Sequence, residues 1–396
     1  MHVPFMPVGS KRPRPHNRIS EVKNTMKDER MTKLARNLVN FSVGAKKGDK
    51  VKIEAFDIPH PLVCELIKAV YEAGAMAFVT NIDTRVKAEL LKGATDAQLE
   101  LWAKHDAAAM NDMDCYIGVR GADNAYENAG VPSERMAKYM SIYNHAVHHE
   151  IRVKKTRWVV LRYPSPSMAQ LAGMSTEAFE DHYFNVCNLD YSKMEKAMTP
   201  LVELMNKTDK VRLVAKDTDI TFSIKDIPAV KCAGHMNIPD GEVYTAPVKN
   251  SINGVITYNT PSVYDGARFD WVKLTFKNGK IVDQDSSDKA KSEAIFNTDD
   301  GARFVGEFAI GVNPFIVDAI GDILFDEKIC GSIHFTPGCC YDDAYNGNIS
   351  AVHWDLVLRQ TPAFGGGQIY FDDVLIRDNG RFVIDSLKCL NPENLK

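Results

Sequence analysis

The sequence predicts two halves of different class, an α/β half with a mostly parallel sheet and then a β-rich, largely antiparallel half. Three observations carry this. Strand-like apolar runs alternate with helix-period segments as far as RWVVLRYP, the mark of βαβ units. Beyond about residue 210 the runs become short and frequent, separated by Gly/Asn/Asp turns. KNGK and DNGR there are strong hairpin signals, because Asn-Gly accepts the positive φ angles of a two-residue turn.

Taken in order, MTKLARNLVNFSV has helical spacing and VKIEAF reads as a strand. PHPLVCELIKAVYEAGA opens with Pro61 near a helix N-terminus and closes on Gly74. AFVTNI is a second strand, LLKGATDAQLELWAKHDAAAM a long helical stretch, CYIGVRG a third strand, MAKYMSIYNHAVHHEI a helix and RWVVLRYP a fourth strand. A helical connection over 176–207 leads to strands at VRLVAKD, TDITFSI, NGVITYN, WVKLTFKNGKIVD, CGSIHFT, ISAVHWDLVL and QIYFDDVLIRDNGRFVI, with helices expected around 286–302 and 313–325. The boundaries that follow are a flexible extension over 1–30, an N-terminal α/β domain over 31–200 and a C-terminal β-rich domain over 201–396. The first domain is Rossmann-like in outline only. GVRGAD is not GxGxxG and no GxxxxGK[ST] occurs, so nucleotide binding has no support.

Composition excludes several classes. The 396 residues are 45% hydrophobic and 25% charged with net charge -4, which is ordinary for a globular chain and lacks the basic field of a nucleic-acid or membrane-surface binder. No apolar run approaches a membrane span, and the proline- and arginine-rich first residues lack the apolar core of a signal peptide. Eight cysteines without a CxxC pair read as reduced thiols of a cytoplasmic protein, Cys339-Cys340 included.

The chemistry gathers late in the chain. After His235 only His334 and His353 remain among 11 histidines. In SAVHWDLVL, His353 and Asp355 stand two apart and share one strand face, while Val352, Trp354 and Leu356 take the other. His334 alternates with Ile333 and Phe335 in the same way. Either histidine alone is readily a satisfied core residue. Glu242, Glu307 and Glu327 each lie in apolar surroundings, where an ionised carboxylate is costly unless it pairs or binds metal. Surface turns can account for Glu242 or Glu327; Glu307, mid-run in GEFAIG, is harder to explain so. Three Glu, one Asp and two His can hold two divalent ions with a carboxylate bridging.

NIPDGEVYTAP, GEFAIGVNP, DEKICGSIHFTPG followed by Tyr341, and HWDL together resemble the ordered motif set of the aminopeptidase T family, the thermophilic metalloaminopeptidases that include the aminopeptidase S and PepS types. KLARNLVNFSVGAKKGDKVKIEA and VYEAGAMAFV resemble that family's N-terminal part, so the likeness spans about residues 31–392. The resemblance implies a cytoplasmic homodimeric exopeptidase acting on peptides with a free N-terminus, with two catalytic divalent ions (zinc, cobalt or manganese) and no nucleic-acid or membrane partner. It also implies Glu242, Glu307, Glu327, His334, His353 and Asp355 as metal ligands and Tyr341 as a catalytic tyrosine. Glu307 or Glu327 is then the proton acceptor for an activated water, and Tyr341 a donor to the tetrahedral oxyanion.

Two other readings differ in class. His334, His353 and Asp355 also form the two-histidine, one-carboxylate set of a non-haem iron oxygenase, such as the ring-cleaving dihydroxypyridine dioxygenases that resemble this fold; that leaves Glu242 and Glu307 without a purpose. A binding protein that has lost catalysis is expected to show a broken ligand set, and none of these positions is replaced. Elsewhere, His145, His148 and His149 read as a solvated or interdomain helix face. His235 lines the site or packs, Arg268, Asp270 and Trp271 shape a pocket, and Gly365–Gly367 form a flexible loop.

Overall fold

The computed structural model describes residues 28–124 and 126–396. The extension therefore lies almost wholly outside the described residues. Its last residues, however, belong to the first helix: Asp28 caps Glu29–Asn37 (α1), its carboxylate accepting the Arg30 N–H at 2.9 Å. Helical structure thus begins before residue 31.

Four predicted strands form a parallel array, β1 (Lys50–Phe56), β2 (Met76–Ile82), β3 (Cys115–Arg120) and β4 (Arg157–Arg162). Period-2 alternation sends Val51, Ile53, Ile117 and Val159 into the main core, and Tyr116, Trp158 and Val160 towards a second cluster with Leu99, Tyr139, Tyr143 and Val147. Pro61 sits in the first turn of α2 (His60–Glu72), and Gly74 follows its end at φ 74°. The helical stretch expected over 90–110 consists of two helices, α3 (Thr84–Gly93) and α4 (Asp96–Asn111). The Thr95 hydroxyl caps the second by accepting the Gln98 N–H at 3.2 Å. The connection over 176–207 likewise divides, at Asp190, into Thr176–Cys187 and Tyr191–Met205.

The remaining strands are β5 (Lys210–Ala215), β6 (Thr218–Ser223), β7 (Val230–Cys232), β8 (Asn237–Ile238), β9 (Glu242–Thr245), β10 (Asn253–Tyr258), β11 (Ser262–Tyr264), β12 (Ala267–Phe269), β13 (Val272–Lys277), β14 (Lys280–Ser286), β15 (Val305–Gly311), β16 (Ser332–Pro337), β17 (Val357–Arg359), β18 (Gly367–Phe371), β19 (Val374–Asp378) and β20 (Arg381–Phe382). An eight-stranded sheet runs β14-β13-β10-β6-β5-β18-β19-β20, and a five-stranded sheet runs β17-β16-β15-β9-β7. Both Asn-Gly turns form as expected, joining β13 to β14 and β19 to β20 with positive φ at both turn residues.

Three expectations fail locally. The segment 313–325 is not a helix: the Asn313 side chain donates to the Asp240 carbonyl and accepts the Phe315 N–H, Pro314 and Gly321 interrupt it, and only Ile323–Asp326 coils. The helix placed at 286–302 is confined to Lys289–Phe296, capped by Asp288. ISAVHWDLVL is mostly not a laddered strand, since only Val357–Arg359 pairs and His353 makes an isolated bridge to Gly338. Its alternation survives nonetheless, with Val352, Trp354 and Leu356 buried.

Five short strands escaped the sequence reading: β7, β8, β9, β11 and β12. The two-residue β8 leaves the C-terminal half and pairs with β4 in the parallel sheet, whose order becomes β2-β1-β3-β4-β8. The main core is correspondingly continuous, running from Leu34 to Leu395.

Candidate metal centre

The site grows from one face of the five-stranded sheet. On β15, Phe308 and Ile310 point into the core, so Glu307, Ala309 and Gly311 take the opposite face. Antiparallel register sets Glu307 opposite Thr336, Ala309 opposite His334 and Gly311 opposite Glu242. Ala309 keeps the strand face beneath His334 small, and at Gly311 a Cβ would stand 2.4 Å from the Ile329 carbonyl oxygen, so the glycine lets the Lys328–Ile329 backbone cross there. A register shift between Val305 and Glu307 marks a bulge beside the site, a device that re-aims a side chain.

His353 and Asp355 approach from the segment beyond β16. That approach depends on Gly338, at φ 112°, where a Cβ would stand 2.0 Å from the Val352 carbonyl oxygen. Asn348 Nδ2 donates to the carbonyls of Gly338 and Gly301 and so ties down the loop carrying Tyr341.

The structure brings all six sequence-predicted donors together. His334 Nε2 lies 3.1 Å from Glu307 Oε1, and His353 Nε2 lies 3.4 Å from Glu307 Oε2 and 3.3 Å from Asp355 Oδ1. His334 Nδ1 stands 3.6 Å from Glu242 Oε2. The ligand atoms fall into overlapping groups, Glu242–Glu307–His334, Glu307–His353–Asp355 and Glu327–His334–Asp355, each within 4.8 Å. Tyr341 packs beside them, its ring centroid 4.9 Å from that of His353.

Lys328 was missed. It is fully buried, with Nζ 3.6 Å from Glu242 Oε1 and paired to Glu327. Its signal was available in DEKICG, a lysine in apolar surroundings beside an acid already singled out. Asp240 was missed too; it accepts the N–H groups of Gly234 and Gly241 and fixes the turn into Glu242.

Burial raises Glu242 to about 8 against the pull of Lys328. Burial opposes charge on His334 as well, but Glu242 and Glu307 outweigh it and lift the imidazole to about 10. For His353 the same contest, decided by Asp355 and Glu307, ends at about 12. Glu307 and Asp355 are held below their ordinary values, because the imidazoles override the desolvation of each. Two buried atoms of the cluster, Glu242 Oε2 and His353 Nε2, have no hydrogen-bond partner. Orphaned donors of this type, among carboxylates and imidazoles, fit divalent metal.

The thermophilic metalloprotease (M29) family model matches residues 27–382. The chain belongs to that family. It is accordingly a metal-dependent peptide hydrolase. Aminopeptidase PepS of Streptococcus thermophilus is 23% identical over 87% of this chain and 94% of that protein, and aminopeptidase AmpS of Bacillus subtilis is 25% identical over 71% and 77%. Among solved structures, AmpT from Thermus thermophilus superposes with a TM-score of 0.74 at 20% identity, covering 90% of this chain and 99% of that one. A 2,5-dihydroxypyridine dioxygenase from Pseudomonas putida has a TM-score of 0.59 at 12% identity, covering 90% and 98%. Both structures share the fold, and membership of the family places this chain with the peptidases.

Other predicted features lie apart from the centre. His145 and His149 are exposed on their helix, whereas His148 departs from the expected solvated face and is half-buried against Tyr116 and Tyr143. His235 stacks on Phe41, 4.6 Å between centroids, so it packs rather than lines the site. Arg268 and Asp270 pair with each other on the exposed β11–β12 hairpin. All eight cysteines are unpaired. Among the described residues no helix is long and apolar enough to cross a membrane.

Proposed function

We propose that the chain is an aminopeptidase whose paired divalent ions would be held by Glu242, Glu307, Glu327, His334, His353 and Asp355. The supporting observation is that two donor groups, each with a histidine, meet at the opposite oxygens of Glu307. Charge argues the same way. Metal-binding imidazoles are neutral, and four carboxylates against the single Lys328 ammonium leave an excess of negative charge that a buried site tolerates only with cations.

Divalent ions, when bound there, would supply Lewis acidity to a scissile carbonyl and to water. The side chains do the rest. Both oxygens of Glu307 face imidazoles, whereas one oxygen of Glu327 faces Lys328, so Glu327 is the better placed to take the water's proton and pass it to the leaving amine. Partial burial and the carboxylates of Glu307 and Asp355 raise the Tyr341 phenol above its ordinary value, which keeps it protonated as a donor to the oxyanion. Lys328 holds Glu242 and Glu327 in place. The carboxylates suit recognition of a substrate's free α-ammonium group, which restricts cleavage to the N-terminal residue.

Residues 31–200 then shape access and assembly, and residues 201–396 hold the metals. A cytoplasmic homodimer completes the proposal, the unpaired thiols supporting a reducing compartment. Metal analysis coupled to an aminoacyl-anilide and peptide panel tests the reading. Two zinc, cobalt or manganese ions per chain are expected, with turnover and metal falling together in His353→Ala. One iron per chain and no peptide cleavage points instead to the His334, His353 and Asp355 oxygenase set, and unchanged hydrolysis by His353→Ala defeats the site assignment.

A further inference from the structure

The N-terminal half holds a cavity of about 640 Å³ that none of the six proposed metal ligands lines. That volume falls in the range of small-molecule sites, roughly 300–1,000 Å³. It opens at the carboxyl ends of β1 and β3, where Phe56 and Arg120 close their strands. In the order β2-β1-β3-β4 the chain reverses its direction of winding between β1 and β3. Open α/β sheets take their ligands at this kind of switch point.

The walls carry both signs, but their acids are already engaged: Asp57 accepts the Thr84 N–H at 2.9 Å, Glu127 pairs with Arg85 at 3.7 Å and Asp322 with Arg162. Lys87, Arg120 and Arg152 all face the cavity, and among the described residues none of the three forms an ion pair. They rest on aromatic rings instead. Lys87 Nζ lies 4.6 Å from the Tyr139 centroid, the Arg120 guanidinium 5.5 Å from Phe56, and that of Arg152 4.4 Å from Trp158. Nη1 of Arg152 is buried with no hydrogen-bond partner. The fourth cation of the wall, Arg162, is already paired to Asp322 at 3.2 Å. Glu54 is the nearby countercharge on β1, and it accepts the Tyr116 hydroxyl at 2.7 Å. The excess field registers on His148, which burial, Arg152, Arg120 and Lys87 together push down to about 3.

We propose that this cleft is a second ligand site, binding a small organic anion whose phosphate or carboxylate groups meet Lys87, Arg120 and Arg152 while its apolar body lies against Phe56 and Tyr139. Charge-assisted hydrogen bonds from guanidinium and ammonium groups supply the affinity, and the aromatic floor supplies shape. The site is independent of the chemistry proposed for the metal centre.

Calorimetric titration of the full chain tests it, with phenyl phosphate and succinate as probes and benzyl alcohol as the uncharged control. Saturable binding of at least one anion is expected, weakened about tenfold or more in Arg120→Gln or Lys87→Gln and retained in His353→Ala. Binding of phenyl phosphate alone assigns a phosphate ligand; binding of succinate alone assigns a carboxylate. The proposal is overturned if neither anion saturates, if benzyl alcohol binds as well, if both cavity variants bind like wild type while keeping its thermal stability, or if binding disappears with His353. Failure of the peptidase reading leaves each of these results unaltered.

Discussion

The two sheets gather charge of opposite sign, one burying it and the other leaving it half-exposed at a cleft, and they do so by different means. On the five-stranded sheet, Glu242, Glu307 and Asp355 stand within a few ångströms of imidazoles and an ammonium group. At the carboxyl ends of the parallel sheet, Lys87, Arg120 and Arg152 are spread over aromatic rings. The first arrangement gathers donors onto a point, as metal coordination requires; the second lines a space wide enough for a molecule. A charge cluster is thus informative about its ligand through its spacing as well as its sign.

Substitutions that remove one element of either arrangement sharpen the contrast. The largest effect is expected from Glu307→Gln, which keeps the shape and removes the charge that faces both imidazoles. Peptide turnover should fall by roughly 10²–10⁴-fold or more while thermal unfolding still reports a folded chain. Tyr341→Phe leaves every charge in place, so a smaller loss is expected, about 10–10³-fold in kcat with KM little changed. Steady-state kinetics on both variants would break the assignment if Tyr341→Phe proved the more damaging. On the basic side, His148→Gln should leave turnover alone and alter only the acid limb of stability. His148 titrates near 3 when folded against an ordinary value of about 6.5, so the unfolded chain takes up its proton first as pH falls. Stability is therefore lost progressively between those values, and the variant should lose less of it. Thermal midpoints measured from pH 7 to pH 4 give the comparison.

Much of this was legible because local rules acted alone. Apolar runs separated by capped helices gave β1 to β4, and Asn-Gly pairs gave two hairpins. Glu307 stood out because an acid amid seven buried strand positions demands a reason. What stayed hidden depends on contacts that no periodicity encodes, near in sequence for Asp240 and remote for Lys328. Asp240 matters through Gly234 and Gly241, Lys328 through Glu242, and neither appears in a periodicity. The segment 313–325 misled because Asn313 bonds to a carbonyl 73 residues away rather than propagating a helix. His353 and Asp355 keep a strand's alternation without its ladder, so the shared face was readable and the pairing was not.

The short strand β8 has a consequence for how the molecule comes apart. A cut near residue 200, which the change of sequence texture invites, would free the β4 edge from Asn237–Ile238 and expose its unpaired amides and carbonyls. It would also split the continuous core between Leu34 and Leu395 into two incomplete pieces. Loosening either half therefore strips packed surface from the other.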